Sequence, residues 1–343
     1  MPRLPPSLFH TAAQIHPLAP RLLPVCRSLA SVRSELRWIA QHVLQSQSSH
    51  LVPPRLRLWQ LVDLRATGLP LQYVLGSQPF GSLDIKCRKG VLIPRPETES
   101  WTLYLASLLS SSSSPSQGLR VLDLCTGTGC IPLLLSSSLS ARNTPLSSVT
   151  GVDISPRAIS LAQENLAHNL RLGTLLPSTG SKIQFLQHDV FSPDFVSTLG
   201  KEEVDVLVSN PPYISHRGFA TDTARSVRNY EPKLALVPSP EKQALSSTEH
   251  PEDVFYARIL HLAQQLESPN KVVLEVASLE QATRVVDMVH SSPELLREYK
   301  TIEIWRDEPA YGGGVIPHRI EGINITVSVR GEGNGRAVYL SRD

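Results

Sequence analysis

A short, mostly apolar segment at residues 121–124 limits the fold most strongly, because it runs directly into a turn containing Gly127 and Gly129. A buried strand that ends in a glycine turn and continues as a helix is the building unit of doubly wound α/β sheets. Similar patterns follow, with strands predicted at 121–124, 149–154, 183–186, 204–208 and 272–276, and helices at 101–109, from 131, at 156–169 and at 254–266. This alternation predicts a mostly parallel sheet with helices on both faces.

Two segments precede the predicted α/β domain of residues 97–343. Apolar residues recur with helical spacing between residues 22 and 64, which predicts a helical domain over residues 22–69. Residues 70–96 are rich in β-favouring side chains interrupted by glycines, which predicts a β-hairpin connector. The chain closes with β-rich runs at 301–305 and 323–329, joined by a glycine-rich loop at 312–314.

The glycine turn gives the first indication of function. Gly127 and Gly129 allow the backbone to approach a ligand closely at the end of a strand. A dinucleotide-binding turn would need a third glycine where the chain has Pro132. With Asp123 just before the turn, the pattern instead resembles the S-adenosylmethionine-binding loop of Rossmann-fold methyltransferases.

Acidic residues follow the next two predicted strands. A carboxylate at Asp153 can accept hydrogen bonds from both hydroxyls of a ribose, although an acid at a strand end also commonly caps the following helix. Asp189, after the third strand, is placed to accept a hydrogen bond from an adenine amino group. Together with the turn, these acids predict a nucleoside-binding edge of the sheet.

The most specific motif is the run Asn210, Pro211, Pro212 and Tyr213 at the end of the fourth strand. An amide or aromatic amine nitrogen is a poor nucleophile because its lone pair is delocalised. The Asn210 side-chain oxygen and the Pro211 carbonyl can each accept one N–H of a planar NH2 group, which stabilises the positive charge that develops on methylation. The prolines remove competing backbone donors, and Tyr213 can pack on a planar group. An ordinary Asn-Pro turn is the alternative interpretation.

These motifs resemble the HemK-type family of release factor glutamine methyltransferases. The resemblance includes residues 72–76, 80–81 and 91–99, the Asn210–Tyr213 motif, and residues 231–232, 235–236 and 274–276. It implies a Rossmann-like class I methyltransferase sheet, mostly parallel with an antiparallel last strand, a small N-terminal helical domain and a β-hairpin connector. It also implies that S-adenosylmethionine is the cofactor and that the glutamine of a Gly-Gly-Gln motif in a class I peptide chain release factor is methylated at N5.

By resemblance, Cys125 to Gly129, Asp153, Val190 and Asn210 line the cofactor and Asn210 to Tyr213 hold the glutamine, and the strand-end reasoning above adds Asp123 and Asp189. The predicted cofactor-binding residues are Asp123, Cys125, Thr126, Gly127, Thr128, Gly129, Asp153, Asp189, Val190 and Asn210, and the predicted catalytic residues are Asn210, Pro211, Pro212 and Tyr213. Two positions depart from the family pattern. Cys125 stands where many members have glycine, and Val190 stands where some have tryptophan.

The same loop chemistry would serve an adenine-N6 methyltransferase acting on DNA or RNA, which is the alternative function. The basic N-terminal segment gives this alternative some support, although the net charge of +2 is too small to argue for a nucleic-acid partner by itself. The cysteines lack metal-ligand spacing, and no apolar run approaches a membrane span. The N-terminus has several arginines and no acid before Glu35, which predicts a mitochondrial transit segment at residues 1–21, with a disordered basic tail as the alternative. We therefore expect a mitochondrial matrix enzyme, with the cytoplasm as the alternative location.

Overall fold

A nine-stranded sheet is the largest assembly in the part of the chain that the structure describes. This computed structural model describes residues 3–45, 52–111, 117–200, 203–245, 249–266, 269–312, 315–320 and 325–343. The strands are β1 (Ser77–Phe80), β2 (Leu83–Lys86), β3 (Leu119–Leu124), β4 (Leu146–Asp153), β5 (Ile183–Gln187), β6 (Val206–Ser209), β7 (Lys271–Glu275), β8 (Thr301–Glu308), β9 (Val315–Ile320), β10 (Ile325–Arg330) and β11 (Glu332–Ser341). The large sheet has the order β5-β4-β3-β6-β7-β11-β8-β10-β9, and β1 and β2 form a separate two-stranded sheet.

The helices fill most of the sequence between these strands. They are α1 (Pro6–Ile15), α2 (Ala19–Cys26), α3 (Leu29–Gln45), α4 (Pro54–Ala66), α5 (Leu71–Leu75), α6 (Pro96–Ser111), α7 (Cys130–Ala141), α8 (Pro156–Leu172), α9 (Pro177–Gly180), α10 (Phe195–Leu199), α11 (His216–Thr221), α12 (Arg225–Tyr230), α13 (Pro240–Gln243), α14 (Val254–Gln265), α15 (Leu279–His290) and α16 (Pro293–Glu298). None of those described is long and apolar enough to cross a membrane.

The parallel half of the sheet positions the functional edge. Strands β5, β4, β3, β6 and β7 run parallel, and Val121 of β3 pairs with Val149 of β4 on one side and Val206 of β6 on the other. The chain therefore leaves β3 in one direction across the sheet and returns on its other side. In such sheets a crevice opens at the carboxyl ends of the strands where the order reverses. The predicted doubly wound α/β fold is confirmed.

The last strand is antiparallel, as the resemblance implied. Strand β11 lies between β7 and β8 and pairs antiparallel with both. The location of β11 was not predicted. Gly331, Gly333 and Gly335 are typical of a loop, and the apolar run that follows them is short. The predicted run at 323–329 corresponds to β10, and β9 beside it was also missed. Residues 313–314 of the predicted glycine-rich loop and residues 323–324 lie outside the described residues.

Apolar side chains cover both faces of the sheet. One buried cluster contains Trp101 of α6, the apolar residues of α7 and Trp305 of β8. The other contains Tyr256 of α14, the apolar residues of α15 and Val338 of β11. Burial on two faces explains why β6 and β7 are almost continuously apolar.

The chain divides into two compact units, and the smaller one is mainly helical. It contains residues 1–78, 87–89 and 224–230. Its core joins Leu22 and Leu23 of α2 with Ile39 of α3 and Val62 of α4. Helix α1 also contributes to this core through Ala12, so the helical packing starts well before residue 22, inside the segment predicted as a transit peptide.

The connector contains the predicted hairpin, formed by β1 and β2, but also a short helix. Residues 73–75, which have β-favouring side chains, lie in α5. Pro70 precedes α5 and Gly76 ends it with a φ of 83°. Pro70 and Gly76 limit the segment to a single helical turn, and this local effect outweighs the β propensity of its side chains.

Gly129 tests the close packing between α7 and the sheet. A Cβ added there would lie 2.9 Å from Cζ of Phe185 and 3.0 Å from Cβ of Ala162, and the φ of 75° already disfavours a side chain. We expect Gly129→Ala to destabilise the protein by about 1–3 kcal/mol in urea unfolding. Gly173→Ala is the matched control, because its φ is 73° and nothing lies within 4 Å of an added Cβ. Equal losses for the two variants would show that backbone strain alone, and not packing, requires glycine at residue 129.

Candidate active site

A cavity of about 580 Å³ lies at the carboxyl ends of the parallel strands. Its walls come from the segments that follow β3, β4, β5 and β6, from the loop before α6, and from α13. This volume is in the range of small-molecule and cofactor sites. Of the predicted site residues, those that line it are Cys125, Thr126, Gly127, Thr128, Asp153, Asp189, Val190, Asn210 and Pro212.

The glycine turn forms one wall through its backbone. The Thr126 N–H donates to the carbonyl of Val152 on β4 (3.0 Å), which ties the turn to the neighbouring strand. Gly127 has a φ of 55°, and a Cβ added there would meet nothing within 4 Å. Its backbone therefore faces open space that a ligand can approach closely. Cys125 also has a left-handed backbone, with a φ of 63°, which explains why glycine would suit this position.

Asp153 joins the turn to the second strand. Its Oδ2 accepts a hydrogen bond from the Gly127 N–H and its Oδ1 accepts one from the Ser155 N–H, both at 2.9 Å. Burial raises the pKa of this carboxyl, and the backbone donors oppose that shift. A carboxylate has about four acceptor positions, so the backbone donors leave Asp153 with acceptor capacity for a further donor. Asp153 can therefore accept a hydrogen bond from a ligand in the cavity.

Asp189 and Val190 also line the cavity. Asp189 Oδ1 accepts a hydrogen bond from the Phe191 N–H (2.9 Å), and its Oδ2 forms an ion pair with Nζ of Lys242 (2.6 Å). The Lys242 ammonium also lies 4.5 Å from the centroid of the Phe191 ring. Sequence reasoning missed Lys242, because residues 238–252 form a polar stretch with no motif.

Asp123 and Gly129 do not line the cavity. Asp123 is fully buried beneath the turn, and burial raises its pKa to about 8. Among the described residues, neither carboxylate oxygen makes a hydrogen bond of regular geometry, although the nearby Thr126 hydroxyl lowers the pKa somewhat. Gly129 precedes α7 and packs against Phe185 and Ala162. Both residues therefore support the turn on its side that faces the protein interior, away from the cavity.

The Asn210–Tyr213 motif is divided between the cavity and the protein interior. Asn210 and Pro212 line the cavity, whereas Pro211 is buried beside it. The Tyr213 hydroxyl donates to Oε1 of Glu275 at 3.2 Å, and burial raises the pKa of this phenol. In this structure Tyr213 therefore anchors the loop from below.

An ion pair beside the cavity was also missed. The Arg95 guanidinium donates to both carboxylate oxygens of Glu231 at 2.9 Å, and the Ile93 N–H donates to Oε2 of the same residue at 3.1 Å. This pairing holds the segment before α6 against the segment that follows the Asn210 loop. The sequence contains both halves of the pair, but nothing in it indicates their contact. Among the described residues, no cluster of three or more His, Cys, Asp or Glu side chains could hold a metal ion.

Comparisons with known proteins agree with this geometry. The profile of the methyltransferase small domain matches residues 101–229. The mitochondrial MRF1 N(5)-glutamine methyltransferase of Saccharomyces cerevisiae is 38% identical over 69% of this chain and 68% of its own length. The corresponding probable enzyme of Schizosaccharomyces pombe is 39% identical over 64% and 69%. A release factor glutamine methyltransferase of Moorella thermoacetica is 38% identical over 54% and 57%.

The sheet order, the glycine turn and the Asn210 loop define a class I methyltransferase that uses S-adenosylmethionine as its methyl donor. The identity and coverage of the two yeast enzymes make the family clear. The chain belongs to the HemK-type release factor glutamine methyltransferases.

Asp153 gives a direct test of the cofactor site. A hydrogen bond to a charged group contributes about 1.5–3 kcal/mol, so we expect Asp153→Ala to weaken S-adenosylmethionine binding about ten- to several hundred-fold. Asp153→Asn, which keeps one acceptor oxygen, should show an intermediate loss. Isothermal titration calorimetry measures both affinities, with circular dichroism to verify folding. Unchanged affinity in Asp153→Ala would remove this residue from the cofactor site.

Proposed function

We propose that this enzyme methylates N5 of the glutamine in the Gly-Gly-Gln motif of a mitochondrial class I peptide chain release factor. The observation that carries the proposal is the position of Asn210, whose side chain lines the cavity at the end of β6, beside the glycine turn. The yeast relatives, named as mitochondrial MRF1 glutamine methyltransferases, support the substrate.

The reaction forms one N–C bond and breaks one S–C bond. The cofactor supplies a methyl group on a positively charged sulfur. With S-adenosylmethionine bound, the glutamine nitrogen would take the methyl group, S-adenosylhomocysteine would leave, and the proton lost from the nitrogen would pass to water, which restores a neutral amide. In the transition state positive charge develops on this nitrogen, so the hydrogen-bond acceptors that stabilise it are the Asn210 side-chain oxygen and the Pro211 carbonyl. These two acceptors also aim the nitrogen lone pair at the methyl carbon.

The cavity lining suggests how the cofactor is held. In our proposal, the backbone around Gly127 lies against the methionine part of the cofactor and Asp153 binds the ribose hydroxyls. Asp189 and Val190 then border the adenine. Asp189 can accept the adenine amino group only at acceptor positions that Lys242 and the Phe191 N–H leave open.

The helical unit is the proposed docking domain for the release factor. Its exposed large side chains include Trp38, Leu56, Trp59 and Leu64, and Arg33, Arg37 and Arg55 are also exposed. Aromatic residues and arginine are enriched where proteins bind one another. The arginine-bearing N-terminus and the mitochondrial relatives support location in the mitochondrial matrix.

Methylation of adenine N6 is not favoured. An exocyclic adenine amine would need the same acceptors as glutamine, so the Asn210 loop by itself fits both substrates. The three relatives described above are named as glutamine methyltransferases, two of them with MRF1 as the substrate. The protein substrate is therefore the better supported one.

Asn210 tests the proposed mechanism. Removing one preorganised polar partner of a transition state typically costs about 10²–10³ in turnover, so we expect Asn210→Ala to lower kcat on intact release factor by that factor. Cofactor affinity should fall less than turnover. Asn210→Asp keeps an acceptor oxygen but adds a negative charge beside the bound cofactor. Undiminished methylation by Asn210→Ala would leave the enzyme class standing and contradict this role for Asn210.

The docking role can be tested on the protein surface. We expect Trp38→Ala and Trp59→Ala to raise KM for the intact release factor several-fold, because contact area is lost, with kcat on a short Gly-Gly-Gln peptide unchanged. The control is Leu176→Ala, which removes a comparably exposed apolar side chain from the larger unit. If the tryptophan variants and the control behave alike on the intact protein, the helical unit does not dock the substrate.

A further inference from the structure

A buried carboxylate lies beneath the Asn210 loop, outside the cavity. Glu275 ends β7 and is 1% exposed, and β7 pairs with β6 directly before the loop begins. Its Oε2 accepts hydrogen bonds from the Thr98 hydroxyl (2.6 Å) and the Trp101 indole N–H (2.8 Å). Its Oε1 accepts the Tyr213 hydroxyl at 3.2 Å. One carboxylate therefore collects donors from helix α6 and from the end of the Asn210 loop.

The protons in this cluster can be assigned by chemistry. An indole N–H only donates, so it occupies one acceptor position of Oε2. Burial raises the pKa of Glu275, and the hydroxyl and indole donors and the positive charge of Arg336 only partly offset that rise. The Thr98 hydroxyl lies 2.6 Å from Oε2, the distance of a short hydrogen bond in which it is the donor. The single hydroxyl proton of Thr98 is therefore directed to Glu275.

This assignment determines how the Asn210 amide is oriented. Its Nδ2 lies 3.3 Å from Oγ1 of Thr98. Because the Thr98 proton is already donated to Glu275, Oγ1 can only accept in this contact, and the group facing it must be the NH2 of Asn210. The amide oxygen then faces away from Thr98 and is available to accept from the substrate.

We propose that Thr98 and Glu275 are positioning residues that orient the Asn210 amide, with its oxygen directed to the target NH2, and that Glu275 also fixes the far end of the loop through Tyr213. The proposal rests on the proposed function only in taking Asn210 as the acceptor for the substrate. Without the Thr98 contact the amide could rotate and present its NH2 group, a donor that would repel the substrate NH2.

Thr98→Val tests this orientation, because valine has the shape of threonine without the hydroxyl. We expect it to lower kcat about 10- to 100-fold with a smaller effect on KM, since a misdirected acceptor affects the transition state most. Thr98→Ser should restore most of the activity. The matched control is Thr102→Val on the same helix, which removes a buried hydroxyl whose hydrogen bond among the described residues goes to the Thr98 carbonyl (2.7 Å) and not to Glu275. This control should keep wild-type kcat.

A double-mutant cycle separates positioning from a general structural role. If Thr98 acts through Asn210, Thr98→Val should change kcat less than about twofold in an Asn210→Ala background. Losses that multiply in the double variant would overturn the proposal. Glu275→Gln should lower kcat in the wild-type background. The amide NH2 of a glutamine at residue 275 can donate to the Thr98 hydroxyl oxygen, and the Thr98 hydroxyl proton is then free to turn toward Asn210.

An activity-independent measurement keeps this inference distinct from the proposed function. In protein labelled with ¹⁵N at asparagine, the Asn210 side-chain NH2 signals are identified by their loss in Asn210→Ala. Thr98→Val should shift these signals, and Thr102→Val should not. If Thr98→Val shifts the Asn210 NH2 signals but the wild-type enzyme methylates no release factor, the proposed function is contradicted and the amide orientation is supported. Normal methylation with unshifted NH2 signals would overturn the orientation and leave the function intact.

Discussion

Parallel pairing of β3 with β4 on one side and β6 on the other is the constraint on which the site depends. It brings three strand ends to one edge of the sheet, so residues distant in sequence become neighbours there. The turn after β3 supplies backbone that a ligand can approach closely, the Asp153 carboxylate supplies hydrogen-bond acceptors, and the loop after β6 supplies Asn210. Each of these is a weak signal alone, and their convergence at one cavity gives them chemical meaning.

The interior beneath this edge is polar at selected points. Glu275 and Asp123 are both buried carboxyls, but they differ in their surroundings. Glu275 accepts hydrogen bonds from Thr98, Trp101 and Tyr213, whereas burial raises the pKa of Asp123 to about 8 with no regular hydrogen bond on its oxygens among the described residues. The first arrangement suits a hydrogen-bonded anchor for the Asn210 loop. The second suits a carboxyl that is readily protonated near neutral pH.

Much of the fold and part of the site could be predicted from the sequence, because they depend on local patterns. The parallel strands and the helices α6, α7, α8 and α14 follow apolar periodicity, and the turn at Gly127 follows glycine spacing, whereas the short helices α9 to α13 carry too few apolar residues to show a period. Strand β11 was missed because its glycines resemble a loop, and α1 was missed because proline, which here begins the helix, is disfavoured at most helical positions. The contacts of Lys242 with Asp189 and of Thr98 with Glu275 join residues far apart in sequence, and no local pattern encodes such pairs.

The most direct test of the central claim is mass spectrometry of a mitochondrial class I release factor incubated with the enzyme and S-adenosylmethionine, with an adenine-containing duplex offered in parallel. The account predicts a single added methyl group on the glutamine of the Gly-Gly-Gln motif, located at N5 by fragmentation, and an unmodified duplex. Methylation of adenine in the duplex, with the release factor left unmodified, would contradict it.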